Sequence, residues 1–378
     1  MSQAQFQHVK VRGVNVVLPK DYIDIDSELE YFDNNPKRLA RQKKMIGFGR
    51  RFVVDGKTTI TDMAVDSVLK LRDSLGLDLK TVDALLVVDH TPDFLGPCDA
   101  CILHGKLGLR YGIPAFDVNI GCSGYIYGLW LAHTMIESRT VKNCLLVAGD
   151  LATLGTKKSN RKRAPLFSDS VSATFIEYSD SEVASSFVLG TDGSGWPTIT
   201  KPVGGSRFPF SKESFDLVAK DGEGNEWTAE QEIMAGEDVF GFTMDVVPRL
   251  ISDTLALAGW DKSNVDLFAI HQANRQIVEM IASKADLPTA KVPMDVFSRY
   301  ANATVNSALS VVCDPNVPLS RNRVAMFSFG AGLSWGGAAV DLTGTVIGGV
   351  STYKPREDPY AATNDVNYWL RRFSGDQV

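Results

Sequence analysis

Two segments nearly half a chain apart share one pattern of turn and strand, and this repeat is the strongest constraint on the fold. Residues 76–88 run Gly-Leu-Asp, then after three residues Val-Asp-Ala-Leu-Leu-Val-Val. Residues 259–271 repeat this spacing without a gap as Gly-Trp-Asp, then Val-Asp-Leu-Phe-Ala-Ile-His. Each segment is typical of a helix that ends at glycine and is followed by a strand buried on both faces. The repeat therefore predicts a duplicated α/β unit.

The duplication extends to two further pairs of segments. At a similar offset, residues 121–124 (Gly-Cys-Ser-Gly) align with residues 301–304 (Ala-Asn-Ala-Thr), and the apolar strand at 143–149 aligns with the one at 322–328. Helical and strand patterns alternate in each half, which favours a layered α/β fold. Two such halves packed about a pseudo-twofold axis would bring these segments toward a shared centre.

Composition excludes several classes of protein. The chain has 378 residues, with 44% hydrophobic and 22% charged residues and a formal net charge of -6, so it has no overall attraction to nucleic acid or anionic membranes. The N-terminus is polar and shows no hydrophobic signal region. The apolar stretch at 335–350 is interrupted by Asp341 and several glycines, so we interpret it as buried strands and expect no membrane span.

The five cysteines are odd in number and lie in apolar or helical contexts, which suits a reduced cytoplasm better than a disulfide framework. Cys98 and Cys101 have the C-x-x-C spacing of redox and metal motifs. Without a second pair or a histidine partner this motif is weak evidence, and we expect no metal site.

Cys122 is the candidate nucleophile. A short apolar strand at 116–118 is followed by Gly121-Cys122-Ser123-Gly124 and then by an apolar run typical of a helix. A sulfur at a helix N-terminus faces unpaired backbone N–H groups and the positive end of the dipole, so we predict an activated thiolate. The alternative is an inert structural cysteine, although the flanking glycines favour close approach by another molecule.

Three further motifs have ordinary explanations when each is taken alone. His271 opens His-Gln-Ala-Asn directly after a strand, where a histidine is often structural, and Asn302 opens a helix, where it is a common N-cap. The glycine cluster at 328–337 is compatible with a simple tight turn. The combination of all four motifs is far more specific.

With these motifs the chain resembles the thiolase-superfamily condensing enzymes, and most closely ketoacyl-acyl carrier protein synthase III. The resemblance covers about residues 10–345 and rests on Cys-Ser-Gly at 122, His-Gln-Ala-Asn at 271, Asn302 and Phe-Gly-x-Gly-x-x-Trp-Gly at 329–336. It implies a five-layered αβαβα fold made of two pseudo-duplicated halves, usually a homodimer. We expect an N-terminal half with the nucleophile at 10–190 and a connecting segment that passes over the active site at 191–235. A C-terminal half with the His and Asn is expected at 236–345, followed by a C-terminal extension at 346–378.

The resemblance implies a decarboxylative Claisen condensation in fatty acid, polyketide or secondary metabolism. Cys122 would take an acyl group from a thioester, with the oxyanion held by the backbone N–H groups of Cys122 and Ala331. His271 and Asn302 would hydrogen-bond the enolate formed when a malonyl-type thioester loses CO₂. The product would be a β-ketoacyl thioester. Ala331 stands where the family usually has glycine. The segment 166–172, Leu-Phe-Ser-Asp-Ser-Val-Ser, also differs from the family's pattern at that place.

The expected substrates are acyl-coenzyme A or acyl carrier protein thioesters, and no permanently bound cofactor is expected. Arg161 matches the family's contact with the coenzyme A nucleotide, while the basic residues around 37–51 and 157–163 and Arg275 are candidates for docking a carrier protein. Gly96 stands where the family often places a Phe that limits the partner subunit's acyl pocket, so we predict a donor larger than acetyl. The set of candidate substrate-binding residues is Arg161, Asn274, Gly96, Phe329 and Phe167.

Three other functions remain open at this point. The acyl group on Cys122 can pass to an alcohol or amine without decarboxylation, but this reaction has no need of both His271 and Asn302. A subunit of a heterodimeric condensing pair needs no nucleophile of its own. Head-to-head condensation of two fatty acyl thioesters requires an additional general base that we do not find in the sequence.

Overall fold

Seventeen strands and nine α-helices form the part of the chain described by the computed structural model, residues 1–222 and 224–374. The strands are β1 Ser2–Phe6, β2 Val9–Leu18, β3 Asp21–Asp24, β4 Arg50–Val53, β5 Leu85–Val88, β6 Ala115–Val118, β7 Asn143–Asp150, β8 Ser170–Tyr178, β9 Ser185–Thr191, β10 Ile199–Thr200, β11 Val218–Lys220, β12 Glu226–Thr228, β13 Ile233–Met234, β14 Leu267–Ile270, β15 Arg323–Gly330, β16 Ser334–Asp341 and β17 Val346–Thr352. The helices are α1 Pro36–Ile46, α2 Ile60–Leu75, α3 Asp99–Lys106, α4 Gly124–Glu137, α5 Gly236–Ala258, α6 Arg275–Lys284, α7 Val296–Tyr300, α8 Ser307–Cys313 and α9 Val366–Ser374. None of these helices has both the length and the apolar composition that a membrane span requires.

Two large sheets carry the duplication predicted from the sequence. Their strand orders are β17-β2-β8-β7-β5-β6 and β1-β9-β16-β15-β14. The run β2-β8-β7-β5 corresponds to β9-β16-β15-β14, because in both runs the first two pairings are antiparallel and the third is parallel. The two segments of the sequence repeat supply β5 and β14, at equivalent positions in the two sheets.

Helices cover both faces of each sheet and produce five layers. Helices α2 and α3 pack on the outer face of the first sheet, α4 and α8 lie between the sheets, and α5 and α6 cover the outer face of the second. Strands such as β5, Leu-Leu-Val-Val, are apolar throughout because both of their faces are buried. The five-layered αβαβα fold is therefore confirmed.

The strands cross the expected domain boundaries. Strand β9, which ends at Thr191, pairs with β16 and so belongs to the sheet of the C-terminal half, as does β1 at the N-terminus. Strand β17 lies in the supposed C-terminal extension but pairs with β2 and forms an edge of the first sheet. The boundaries expected at 190 and 345 therefore do not coincide with the two sheets, because long-range strand pairing leaves no local signal in the sequence.

The remainder of the C-terminal segment returns across the N-terminal half. Asp66 on α2 has a fully buried side chain that accepts hydrogen bonds from Lys354 N (2.9 Å) and Arg356 Nε (2.8 Å). Lys70 Nζ is 2.7 Å from the same carboxylate. Further along, the ring of Trp369 on α9 meets that of Phe94 edge-on, with their centroids 5.9 Å apart.

We predict that Asp66→Ala destabilises the protein by ~3 kcal/mol, because charge-assisted hydrogen bonds to a buried carboxylate are lost. Urea unfolding followed by fluorescence would measure the change. Asp73→Ala is the control, since Asp73 is exposed and pairs with neighbouring Arg72, and should cost less than about 1 kcal/mol. Equal losses in the two variants would contradict the role of Asp66 as an anchor.

Candidate active site

Cys122 lies at the junction of the two halves. It is half-buried in the turn between β6 and α4, and it lines a cavity of about 450 Å³. The backbone of Gly330, at the end of β15, passes directly against it. A Cβ on Gly330 would stand 2.7 Å from Cys122 Cβ and 2.9 Å from Sγ, closer than van der Waals contact allows. A residue without a side chain is therefore required at position 330.

The expected thiolate is not the resting state of Cys122. Burial, followed by the carboxylates of Glu232 and Asp150, raises the pKa of the Cys122 thiol to about 12, while Arg163 acts in the opposite direction. The helix N-terminus is visible in the sequence, but the acidic side chains that the fold brings to the same cavity are not. The thiolate prediction is thus wrong, and the free cysteine is a neutral thiol.

His271 follows β14 and lines the same cavity. Its backbone N–H donates to Phe327 O (2.8 Å), and its ring lies edge-on to Phe329 with the centroids 5.2 Å apart. Burial lowers the pKa of His271 to about 3, so the imidazole is neutral at physiological pH.

Asn302 reaches the cavity from the loop that follows α7. Its backbone N–H donates to Leu166 O (2.9 Å), and its carbonyl accepts from Ser168 N (3.0 Å). The side-chain Oδ1 accepts from Thr304 N at 2.9 Å. Because Oδ1 is occupied, the group left available for a ligand is the Nδ2 donor.

The predicted oxyanion hole lies between two turns that are joined by a buried hydrogen bond. Ser123 Oγ and Ser334 Oγ are 2.7 Å apart, and Ser334 Oγ also donates to Ala331 O at 2.7 Å. Cys122 and Ala331 both line the cavity. Within residues 1–222 and 224–374, neither of their backbone N–H groups donates a hydrogen bond to another protein group.

The five predicted substrate-binding residues fall into three places. Phe167 and Phe329 line the cavity of Cys122, whereas Arg161 and Asn274 line a separate cavity of about 600 Å³. There Arg161 pairs with Asp33 (2.9 Å), and Asn274 Oδ1 caps α6 by accepting from Ile277 N (2.9 Å). Gly96 lies in neither cavity, and instead lines a groove that is also lined by residues of α9.

Several polar residues of the cavity are not among those predicted. His90 packs on the backbone of Gly121, and Arg163 pairs with Glu232 and stacks on Phe167 with its guanidinium 4.3 Å from the ring centroid. The expected excursion over the site is present, since Thr200, Lys201, Glu230, Gln231, Glu232 and Met234 line the cavity. Besides this expected excursion, only the basic run around Arg163 gave a signal in the sequence.

Two family models match the chain. Residues 116–193 match the model described as 3-oxoacyl-[acyl-carrier-protein (ACP)] synthase III, and residues 255–342 match the model for its C-terminal part. The first match contains Cys122, and the second contains His271, Asn302 and Ala331.

Full-length relatives agree with the family models. A Campylobacter jejuni protein provisionally named a 3-oxoacyl-[acyl-carrier-protein] synthase 3 is 34% identical over 345 residues, which is 90% of this chain and 96% of that protein. A beta-ketoacyl-[acyl-carrier-protein] synthase III 2 of Streptomyces coelicolor is 30% identical, covering 88% of this chain and 94% of the relative. The crystal structure of a 3-oxoacyl-(acyl-carrier protein) synthase from Burkholderia xenovorans has a TM-score of 0.84 and 31% identity, covering 93% of this chain and 99% of that one.

We predict that Gly330→Ala slows alkylation of Cys122 by iodoacetamide about tenfold or more, because overpacking of about 1–3 kcal/mol must displace the thiol. Peptide mass spectrometry at a fixed pH would measure the rate. Gly193→Ala is the matched control, since a Cβ there meets no atom within 4 Å, and it should react at the wild-type rate. An unchanged rate in Gly330→Ala would contradict the close approach.

Proposed function

Because this chain belongs to the 3-oxoacyl-[acyl-carrier-protein] synthase III family, we propose that Cys122 carries the acyl group and that His271 and Asn302 act on the extender. The chain is a condensing enzyme of the decarboxylating ketoacyl synthase type. Residues of the catalytic cavity then perform both chemical steps.

In the first step the sulfur of Cys122 attacks an acyl thioester. A carbon–sulfur bond forms to Cys122, the bond to the coenzyme A or phosphopantetheine sulfur breaks, and the proton of the Cys122 thiol leaves with the departing thiol. This exchange conserves protons, so it is compatible with a thiol pKa raised to about 12 by burial and by nearby carboxylates. The N–H groups of Cys122 and Ala331, two residues that line the cavity, are the proposed donors to the tetrahedral oxyanion.

In the second step a malonyl-type thioester loses CO₂, and its enolate attacks the acyl-Cys122 carbonyl. The new carbon–carbon bond gives a β-ketoacyl thioester, and Cys122 leaves as a thiolate that takes up a proton. This assignment rests on two side chains of the cavity that are uncharged and can donate hydrogen bonds. The His271 imidazole is neutral and Asn302 Oδ1 is occupied by Thr304 N, so both residues can offer an N–H to the enolate oxygen without an opposing negative charge.

Acyl transfer to an alcohol or amine is the second candidate. It uses the same acyl-Cys122 but forms no enolate, so it gives no reason for two neutral donors in the cavity. We therefore favour condensation.

The cavity that contains Arg161 and Asn274 is the proposed entrance for a coenzyme A or carrier-protein thioester, with no cofactor held permanently. It opens beside α1, which is rich in Lys and Arg. A phosphate would compete with Asp33 for Arg161. A further cavity of about 510 Å³ shares His90, Gly121 and Ala331 with the catalytic cavity and gives room for a donor larger than acetyl.

We also propose a cytoplasmic homodimer. Strand β6 is an edge of the first sheet, and Phe116 on it is 37% exposed. Tyr111, in the loop before β6, is 96% exposed, and Leu95, in the loop before α3, is 95% exposed. An open edge with exposed apolar groups favours association with a second copy. Gly96 follows Leu95 in the chain, and in the proposed dimer it would face the partner's pocket. The free thiols of all five cysteines suit a reducing compartment.

The function is tested by intact-mass analysis of Cys122 after incubation with acyl-coenzyme A and acyl-carrier thioesters, followed by malonyl thioester. The wild type should form acyl-Cys122 and then release CO₂. His271→Ala and Asn302→Ala should still be acylated but should decarboxylate about 100-fold more slowly, because each loses one oxyanion donor. If acyl-Cys122 never forms, the catalytic proposal fails. If an alcohol or amine removes the acyl group from Cys122 and malonyl thioester releases no CO₂, the enzyme catalyses acyl transfer and not condensation.

We predict that decarboxylation of malonyl thioester by the Cys122→Ala variant is independent of pH between about 5.5 and 8. Burial lowers the pKa of His271 to about 3, so the neutral imidazole is fully present above that value and is lost only as the pH falls toward it. Circular dichroism at each pH would confirm that the fold is retained. A rate that falls below pH ~6.5 with one-proton dependence would show that His271 titrates near its ordinary value.

A further inference from the structure

Gln231 is a buried side chain whose hydrogen-bonding capacity is not met by the described residues. It is 2% exposed and lines the catalytic cavity, yet neither Oε1 nor Nε2 has a protein partner within residues 1–222 and 224–374. Gln272, which is 1% exposed, shows the usual arrangement. Its Nε2 donates to Ile270 O (2.9 Å), and its Oε1 accepts from Phe297 N (3.2 Å).

Arg163 adds a second unmet group to the same cavity. Its guanidinium pairs with Glu232 through Nη1 and stacks on Phe167, but its buried Nε has no partner among the described residues. Leaving a buried donor or acceptor unpaired costs about 1–3 kcal/mol. Two such side chains lining one cavity therefore indicate a ligand that both donates and accepts hydrogen bonds.

The two side chains with unmet hydrogen bonds favour an uncharged ligand group, because the Gln231 amide is neutral and the Arg163 guanidinium already pairs with Glu232. The carboxyl groups of Asp150 and Glu230 also line the cavity, so a cationic substituent is included among the donors tested below. The carboxylate of Glu232 is already neutralised by Arg163, so no cationic substituent is needed to balance it. A hydrocarbon chain would leave Gln231 and Arg163 Nε without partners. Both Glu232 and Arg163 are close enough to Cys122 to influence its pKa, so the unmet groups border the space available to an acyl chain on the sulfur.

We propose that the acyl group transferred to Cys122 carries an uncharged hydrogen-bonding substituent such as a hydroxyl, held by Gln231 and Arg163 Nε. The inference rests on the proposed acylation of Cys122. The amides of a phosphopantetheine arm offer the same chemistry, but they are present on every donor. A role of Gln231 toward them would affect all acyl groups equally, whereas a role toward the substituent affects only substituted ones.

The experiment measures the rate of Cys122 acylation by intact mass with three donors of similar length: butyryl-, 3-hydroxybutyryl- and β-alanyl-coenzyme A. The wild type should accept the hydroxyacyl donor about tenfold or more faster than the butyryl donor, because one hydrogen bond to each of two unmet groups is gained. Gln231→Leu should abolish this preference, so that the ratio of the hydroxyacyl rate to the butyryl rate falls to about one, whatever its effect on the butyryl rate alone. Gln7→Leu makes the same substitution at an exposed residue outside the cavity and should keep the preference.

Three outcomes would overturn the proposal. The first is a wild type that accepts the hydroxyacyl donor no faster than the butyryl donor. The second is a Gln231→Leu variant that slows all donors alike, which assigns Gln231 to the pantetheine arm. The third is a β-alanyl donor that reacts faster than both others, which assigns the cavity to a cationic acyl group.

Two controls separate these outcomes from other failures. Circular dichroism identifies a variant that has misfolded. A wild type that forms no acyl-Cys122 with any donor fails the proposed function itself, and this result is distinguishable because no acyl adduct is seen.

Discussion

The β15–β16 hairpin packs directly on the turn and helix that carry Cys122, and the site depends on this backbone contact. Gly330 leaves no room for a Cβ beside Cys122, and a Cβ on Gly336 would stand 2.7 Å from Ile126 Cγ2 on α4. The Ser123–Ser334 hydrogen bond fixes the same two elements relative to each other. The turn that carries Cys122 in one half is thereby held against the turn that carries Ala331 in the other.

The electrostatics of the site follow from this burial. The same exclusion of water that raises the pKa of the Cys122 thiol lowers the pKa of His271, so both groups are neutral in the free protein. A neutral cysteine and a neutral histidine suit the proposed cycle, in which negative charge develops on oxygen at the tetrahedral centre and at the enolate, and passes to the sulfur of Cys122 only when the product leaves. In that proposed cycle, donors that are already oriented, such as Asn302 with its Oδ1 bonded to Thr304 N, would stabilise the charge without reorganisation.

Local patterns in the sequence were sufficient for much of the fold. The glycine-ended helices and the apolar strands recur at a fixed offset, and they reappear as α2, β5, α5 and β14 in equivalent sheets. The edge strands were not predictable in this way. Whether β9 joins the first or the second sheet, and whether β17 is an extension or an edge, depends on pairing with strands far away in the chain, and both alternatives have the same local composition.

The sequence by itself determined the duplicated α/β architecture and three of the residues that meet at its centre, because residue type and periodicity are local properties. Only the tertiary structure decided the protonation state of Cys122 and the polar lining of the cavity. Glu232 and Gln231 come from the long connecting segment and Arg163 from a basic surface run, and no spacing in the chain relates them to Cys122. The influence of Glu232 and Arg163 on the thiol arises from proximity in the protein interior, where electrostatic interactions act more strongly than in water.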